Sequence, residues 1–142
     1  MIVWRLVAAA ALTLATQTFA PAPAMSQAPS VAAGPGDVST LTVQLSNFQF
    51  SPSTITLDHG RAYALRFENL ASGGHDFAAK DFFAAATIPE ADRGRIVGGA
   101  ISLKGGQSVE VHLVAPPTGT YKVRCTHFMH GAFGMTGKIV VQ

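Results

Sequence analysis

The segment Cys125-Thr126-His127-Phe128-Met129-His130-Gly131-Ala132-Phe133-Gly134-Met135 packs one thiol, two imidazoles and two thioethers together and contains no carboxylate. Thiolate and thioether sulfur are soft donors and imidazole is borderline. Two His, one Cys and a weak axial Met form a ligand set for copper cycling between Cu(II) and Cu(I). Zinc is chemically possible, but the sulfur-rich set speaks against it. Spacing adds to composition. His130 lies five residues after Cys125, and Met135 five beyond that. A loop of that length between adjacent strands curls round one ion and offers it three side chains. A fourth ligand must come from elsewhere. His75 follows Ser72-Gly73-Gly74, where glycine permits close backbone approach. The candidate metal ligands are therefore His75, Cys125, His130 and Met135.

Each has a blander reading. Cys125 could be an inert core thiol, His130 a surface loop histidine, Met135 core packing and His75 a loop histidine satisfied locally. His127 stands open between an outer donor to the site, an exposed electron-transfer group and a ligand in place of His130. Met129 is expected at the rim, with capture of Cu(I) as a second use. His59 falls in a turn and His112 on the polar face of a strand, and both are expected to be solvated.

The elements that position these residues read as strands. Ser39 to Ser46 alternates polar and apolar, with Leu41, Val43 and Leu45 on one face. Asn47 to Phe50 continues the alternation until Ser51-Pro52 breaks it. Thr54–Leu57, Ala62–Asn69, Gln107–Ala115, Thr120–Cys125 and Lys138–Val141 follow, separated by Asp58-His59-Gly60, Lys104-Gly105-Gly106, Pro116-Pro117-Thr118-Gly119 and Thr136-Gly137. Six or seven short strands with such turns predict an all-β, Greek-key antiparallel β-sandwich. The exception is the crossover from Phe77 to Gly99, where helix-forming composition predicts one or two short helices around 78–95.

The ends of the chain and its bulk bound the function. The chain has 142 residues, which favours one domain. Met1 to Arg5, the apolar run Leu6 to Ala15 and the small-x-small site Ala22-Pro23-Ala24 predict a signal peptide over residues 1–24, cleaved after Ala24. The apolar run is shorter than the roughly 20 residues of a spanning helix, so no membrane span is expected after cleavage. Residues 25–38, rich in Ala, Pro, Gly and Ser, read as a flexible leader, and 39–142 as the folded domain. Cleavage removes Arg5 alone among charged residues, leaving nine Lys and Arg against eight Asp and Glu. That balance, without basic clustering, gives no nucleic-acid footprint. In an oxidising compartment the sole cysteine, Cys125, has no partner for an internal disulfide. It is then either a buried thiol or a metal ligand.

Gly119-Thr-Tyr-Lys-Val-Arg-Cys125, His130 and Gly134-Met135-Thr-Gly-Lys-Ile-Val-Val141 together resemble the C-terminal copper loop of the plastocyanin/azurin family, the cupredoxins. Gly74-His75-Asp76-Phe77 resembles that family's first-histidine motif. The resemblance runs from about residue 39 to 142. It implies one type 1 copper ion cycling between Cu(II) and Cu(I), and an electron carrier rather than an enzyme. It departs from plastocyanins in the step from Cys125 to the second histidine, since Phe128 stands three positions on. The five-residue step to His130 is more like azurin, rusticyanin and auracyanin. The expected signal peptide predicts a periplasmic or otherwise exported setting. Implied partners are exported or membrane-bound redox proteins, such as a c-type cytochrome or a copper oxidase or reductase, met by a monomer. A periplasmic copper chaperone or storage protein using the same loop is the alternative. Asp76 is expected to donate its backbone N–H to the Cys125 sulfur, because a copper thiolate needs such donors. Its charge would favour Cu(II) unless the side chain points to solvent.

Overall fold

The computed structural model describes residues 38–127 and 134–142. The expected signal peptide and nearly all of the leader lie outside the described residues, as do Phe128, Met129, His130 and Phe133.

Among the described residues nine strands form two sheets. β1 (Ser39–Ser46), β2 (Gln49–Ser51), β4 (Ala62–Asn69) and β7 (Ser108–Val114) make a four-stranded sheet in the order β2-β1-β4-β7. β3 (Thr54–Leu57), β9 (Thr136–Val141), β8 (Gly119–Arg124), β5 (His75–Ala78) and β6 (Ala100–Leu103) make a five-stranded sheet in the order β3-β9-β8-β5-β6. The sandwich expected from period-two patterning is present, and its sheets are mixed. β1 runs parallel to β4, and β3 parallel to β9, while the other pairings are antiparallel.

The alternating residues do what the pattern requires. Val43 and Leu45 of β1, Leu65 and Phe67 of β4, and Val111 and Leu113 of β7 are buried. They meet Ile55, Leu57, Phe77, Ile101, Val123 and Ile139 of the facing sheet in one core. Each such side chain removed from water contributes roughly 1.5–3 kcal/mol. Phe77 is central to that core, with ring centroids 4.7 Å from Phe67 and 5.4 Å from Phe50.

Two stretches differ from the sequence expectation. The alternation does not run through to Phe50. Asn47 and Phe48 turn the chain, Phe48 at a positive φ of 63° and 46% exposed, and Phe50 returns to the core on β2. The crossover begins and ends with strands, β5 and β6, that the reading missed. β5 is HDFA with its first three residues buried, so it shows no alternation. Between them lie the two helices, α1 (Lys80–Ala85) and α2 (Glu90–Arg93). α1 seats Phe82 and Phe83 in the core, with the Phe82 ring 5.6 Å from Tyr121 on β8.

Candidate metal centre

Cys125 follows the last residue of β8, and Met135 precedes the first of β9. The two strands pair antiparallel up to Arg124 opposite Thr136. One step further, the Cys125 N–H donates to the Met135 carbonyl at 3.0 Å. The ladder thus fixes thiol and thioether residues side by side, at 2% and 0% exposure. His75 arrives from the other neighbour of β8. It opens β5, which touches β8 at Ala78 opposite Arg124 and is held along β6 by His75 opposite Leu103. Antiparallel order from the Ala78–Arg124 pair brings His75 to the level of His127, and their ring centroids lie 6.4 Å apart. The His75 ring is buried, and its Nδ1 lies 3.8 Å from Cys125 Sγ.

The turn that delivers His75 is built by residues the sequence reading did not single out. Asn69, buried at the end of β4, donates from Nδ2 to the carbonyls of Gly73 at 2.8 Å and Lys104 at 3.0 Å. Its Oδ1 accepts the Ala71 N–H at 3.0 Å. One side chain therefore joins the turn before β5 to the end of β6. Gly105 lies against the same turn so closely that a Cβ there would sit 2.1 Å from the Ser72 carbonyl oxygen. Gly74 passes under His127, where a Cβ would meet Cε1 at 3.2 Å. An Asn ending a strand before a Gly-rich turn, with Lys-Gly-Gly after another strand, was the only available signal.

Asp76 locks the opposite side. Its carboxylate accepts both the backbone N–H and the hydroxyl of Thr126, the residue after Cys125. The side chain is buried between β5 and the end of β8 and does not point to solvent. Burial pushes the Cys125 thiol above its ordinary pKa, opposed by hydrogen bonding from the backbone of Asp76 and of His127, with the Asp76 charge adding to the rise. The backbone of Asp76 is thus among the groups that favour the thiolate.

The structure thus brings together His75, Cys125 and Met135, while His130 lies outside the described residues. His127 is exposed and placed over Gly74. His59 is exposed. His112 is not merely solvated, because its backbone N–H and Nδ1 each lie 3.0 Å from Asp92 Oδ2. Among the described residues no three His, Cys, Asp or Glu side chains converge; the described pole joins one imidazole and one thiol beside Met135. The pair at the pole fits a transition-metal site. Ligand bonds of about 2.0 Å to nitrogen and about 2.3 Å to sulfur leave two donors on one ion 3–4 Å apart, and the observed spacing falls within that range.

The family model for copper binding proteins of the plastocyanin/azurin family matches residues 37–142. The chain belongs to that family. Copper is accordingly its cofactor, and the cupredoxin match spans the whole described sandwich. Among curated proteins none matches. Among solved structures, a dithionite-reduced auracyanin from the photosynthetic bacterium Roseiflexus castenholzii is 21% identical with a TM-score of 0.56, covering 75% of this chain and 99% of its own. Auracyanin B is 22% identical with a TM-score of 0.54, over 79% and 93% of the two chains. Auracyanin A from Chloroflexus aurantiacus is 22% identical with a TM-score of 0.51, over 73% and 100%. These likenesses establish the cupredoxin fold.

Proposed function

We propose that His75, Cys125, His130 and Met135 hold one copper ion and that the protein carries single electrons between exported or membrane-bound redox proteins, without itself being an enzyme. The observation that carries this reading is the 3.8 Å approach of Cys125 Sγ to His75 Nδ1 in a buried pole. Bound copper supplies a one-electron couple between Cu(II) and Cu(I). The chain supplies the rest. Cys125 gives up its proton on metal binding, and backbone hydrogen bonding from Asp76 and His127 stabilises the thiolate against burial. Asn69 and Asp76 hold the two ligand-bearing segments in place, which keeps reorganisation small when the charge of the site changes. The auracyanin A to which the chain is similar is described as a blue copper protein, in keeping with such a carrier. A leader resembling a signal peptide supports export.

A second use of the site, receipt and release of copper as a chaperone, draws support from the exposed His127 ring 6.4 Å from that of His75. Adding Cu(II) to the purified protein tests the leading reading. Strong visible thiolate-to-copper absorption lost in Cys125→Ser, a narrow-hyperfine EPR signal and a reversible couple support the carrier. A colourless protein with ordinary Cu(II) EPR overturns it. Rapid handover of the metal to an apo-acceptor favours the chaperone.

A further inference from the structure

We infer that the outer face of the five-stranded sheet, beside Cys125, is a docking surface for an acidic patch on a partner protein. The inference rests on the electron-carrier reading for the identity of that partner as a redox protein. The charge distribution carries it. Arg61, Arg66, Arg93 and Arg95 each have a carboxylate at 2.7 to 3.3 Å. Lys104, in the turn after β6, joins no such pair among the described residues, and neither do the four cations Lys80, Lys122, Arg124 and Lys138. All four are exposed, and the fold gathers them from distant positions. Lys122 and Arg124 lie on β8, Lys138 stands directly opposite Lys122 on β9, and Lys80 opens α1 at the other side of β8. Like charges directly opposite on neighbouring strands are destabilising, so this placement has a cost that local structure does not explain.

Three of these cations line one groove of about 720 Å³, with Ala78, Ser102 and Thr126 on its walls. The groove lies where β8 pairs with β5 at a single position, Ala78 with Arg124. Its carboxylates are Asp81, exposed at the side, and Asp76, buried and already accepting two hydrogen bonds from Thr126. Arg124 and Thr126 flank Cys125 in the chain, so an acidic partner seated here lies against the backbone of the thiol residue. Val97, 76% exposed on the rim, offers an apolar contact beside the charges. That mixture suits a protein surface. No aromatic side chain lines the groove for base stacking.

The test uses a labelled decaglutamate peptide as probe, on the purified apo protein and the copper-loaded protein alike. Binding should weaken steeply with salt, shift the amide signals of Ala78, Ser102, Lys122 and Arg124, and fall about tenfold in Lys122→Glu/Arg124→Glu. The control Lys104→Glu/Arg93→Glu makes the same change of net charge away from the groove and should retain binding within about twofold. Equal loss in both variants, shifts elsewhere, or stronger binding of duplex DNA or of anionic lipid vesicles than of the peptide would overturn the proposal. Absorption of the copper-loaded protein is read separately, so a failed copper site and a failed docking surface give different results.

Discussion

The pole proposed to hold copper is built by side chains whose work is to position others. Asp76 is buried with two donors from Thr126 pointing at it. Removing the hydroxyl in Thr126→Val leaves a buried carboxylate short of a partner, at a cost of about 1–3 kcal/mol. The expected readout is a lower denaturation midpoint, with a changed visible spectrum in the copper-loaded form if the Cys125 segment moves. An unchanged midpoint and spectrum would show that the clamp is dispensable. The proposed ligands separate by variant as well. His130→Ala should open the site and His127→Ala should leave the thiolate absorption in place, and the reverse outcome would reassign the second imidazole. Cys125 and Met135 stood out as candidate ligands because residue type and spacing point to soft-donor chemistry, and the structure places the two residues side by side. Asn69 and Gly105 were not, because their role lies in which distant carbonyls they reach.

At the level of elements, the strands with clean alternation were readable and the short buried ones were not. Ser39–Ser46, Thr54–Leu57 and Ala62–Asn69 match their expected bounds. β5 and β6 have four residues each and lie at the two ends of the helical crossover, and β5 shows no alternation. Two element-scale predictions follow from register and contact. Lys122→Glu sets an acid opposite Lys138 in place of a like charge, and should raise stability by about 0.5 kcal/mol. Gly105→Ala forces a Cβ to 2.1 Å from the Ser72 carbonyl oxygen. The turn before His75 must then shift, so the variant should unfold earlier and load copper more weakly. A variant with wild-type melting and copper uptake would contradict that packing.

For the whole molecule, stability depends on acid and on metal. Asp92 sits below the ordinary carboxylate pKa, chiefly through the backbone hydrogen bond from His112 and despite burial. A carboxyl depressed in the folded state contributes stability above its unfolded pKa of about 3.9 and loses it as pH falls through the lower folded value. Wild type should therefore lose stability below about pH 4 more steeply than Asp92→Ala, which should be the weaker protein at neutral pH. Parallel pH–denaturation curves for the two would refute this. At the proposed site copper binds the folded chain in preference to the unfolded one, because its ligands converge only in the fold. The loaded protein should therefore melt higher than the protein stripped with chelator, by about 2.7 kcal/mol in stability at a hundredfold excess over Kd.

By itself the sequence determined a sandwich, because period-two burial demands two faces, and it singled out a candidate donor set, because thiol, imidazole and thioether at fixed spacing leave few other chemistries. It also showed near-balanced charge without clustering. Only the tertiary structure decided how the His75 imidazole meets the Cys125 sulfur fifty positions away, since that follows from β5 lying beside β8. Only the structure, too, gathered Lys80, Lys122, Arg124 and Lys138 on one face. Charge clustering is a property of surfaces, and sheet register, not chain order, decides which residues share one.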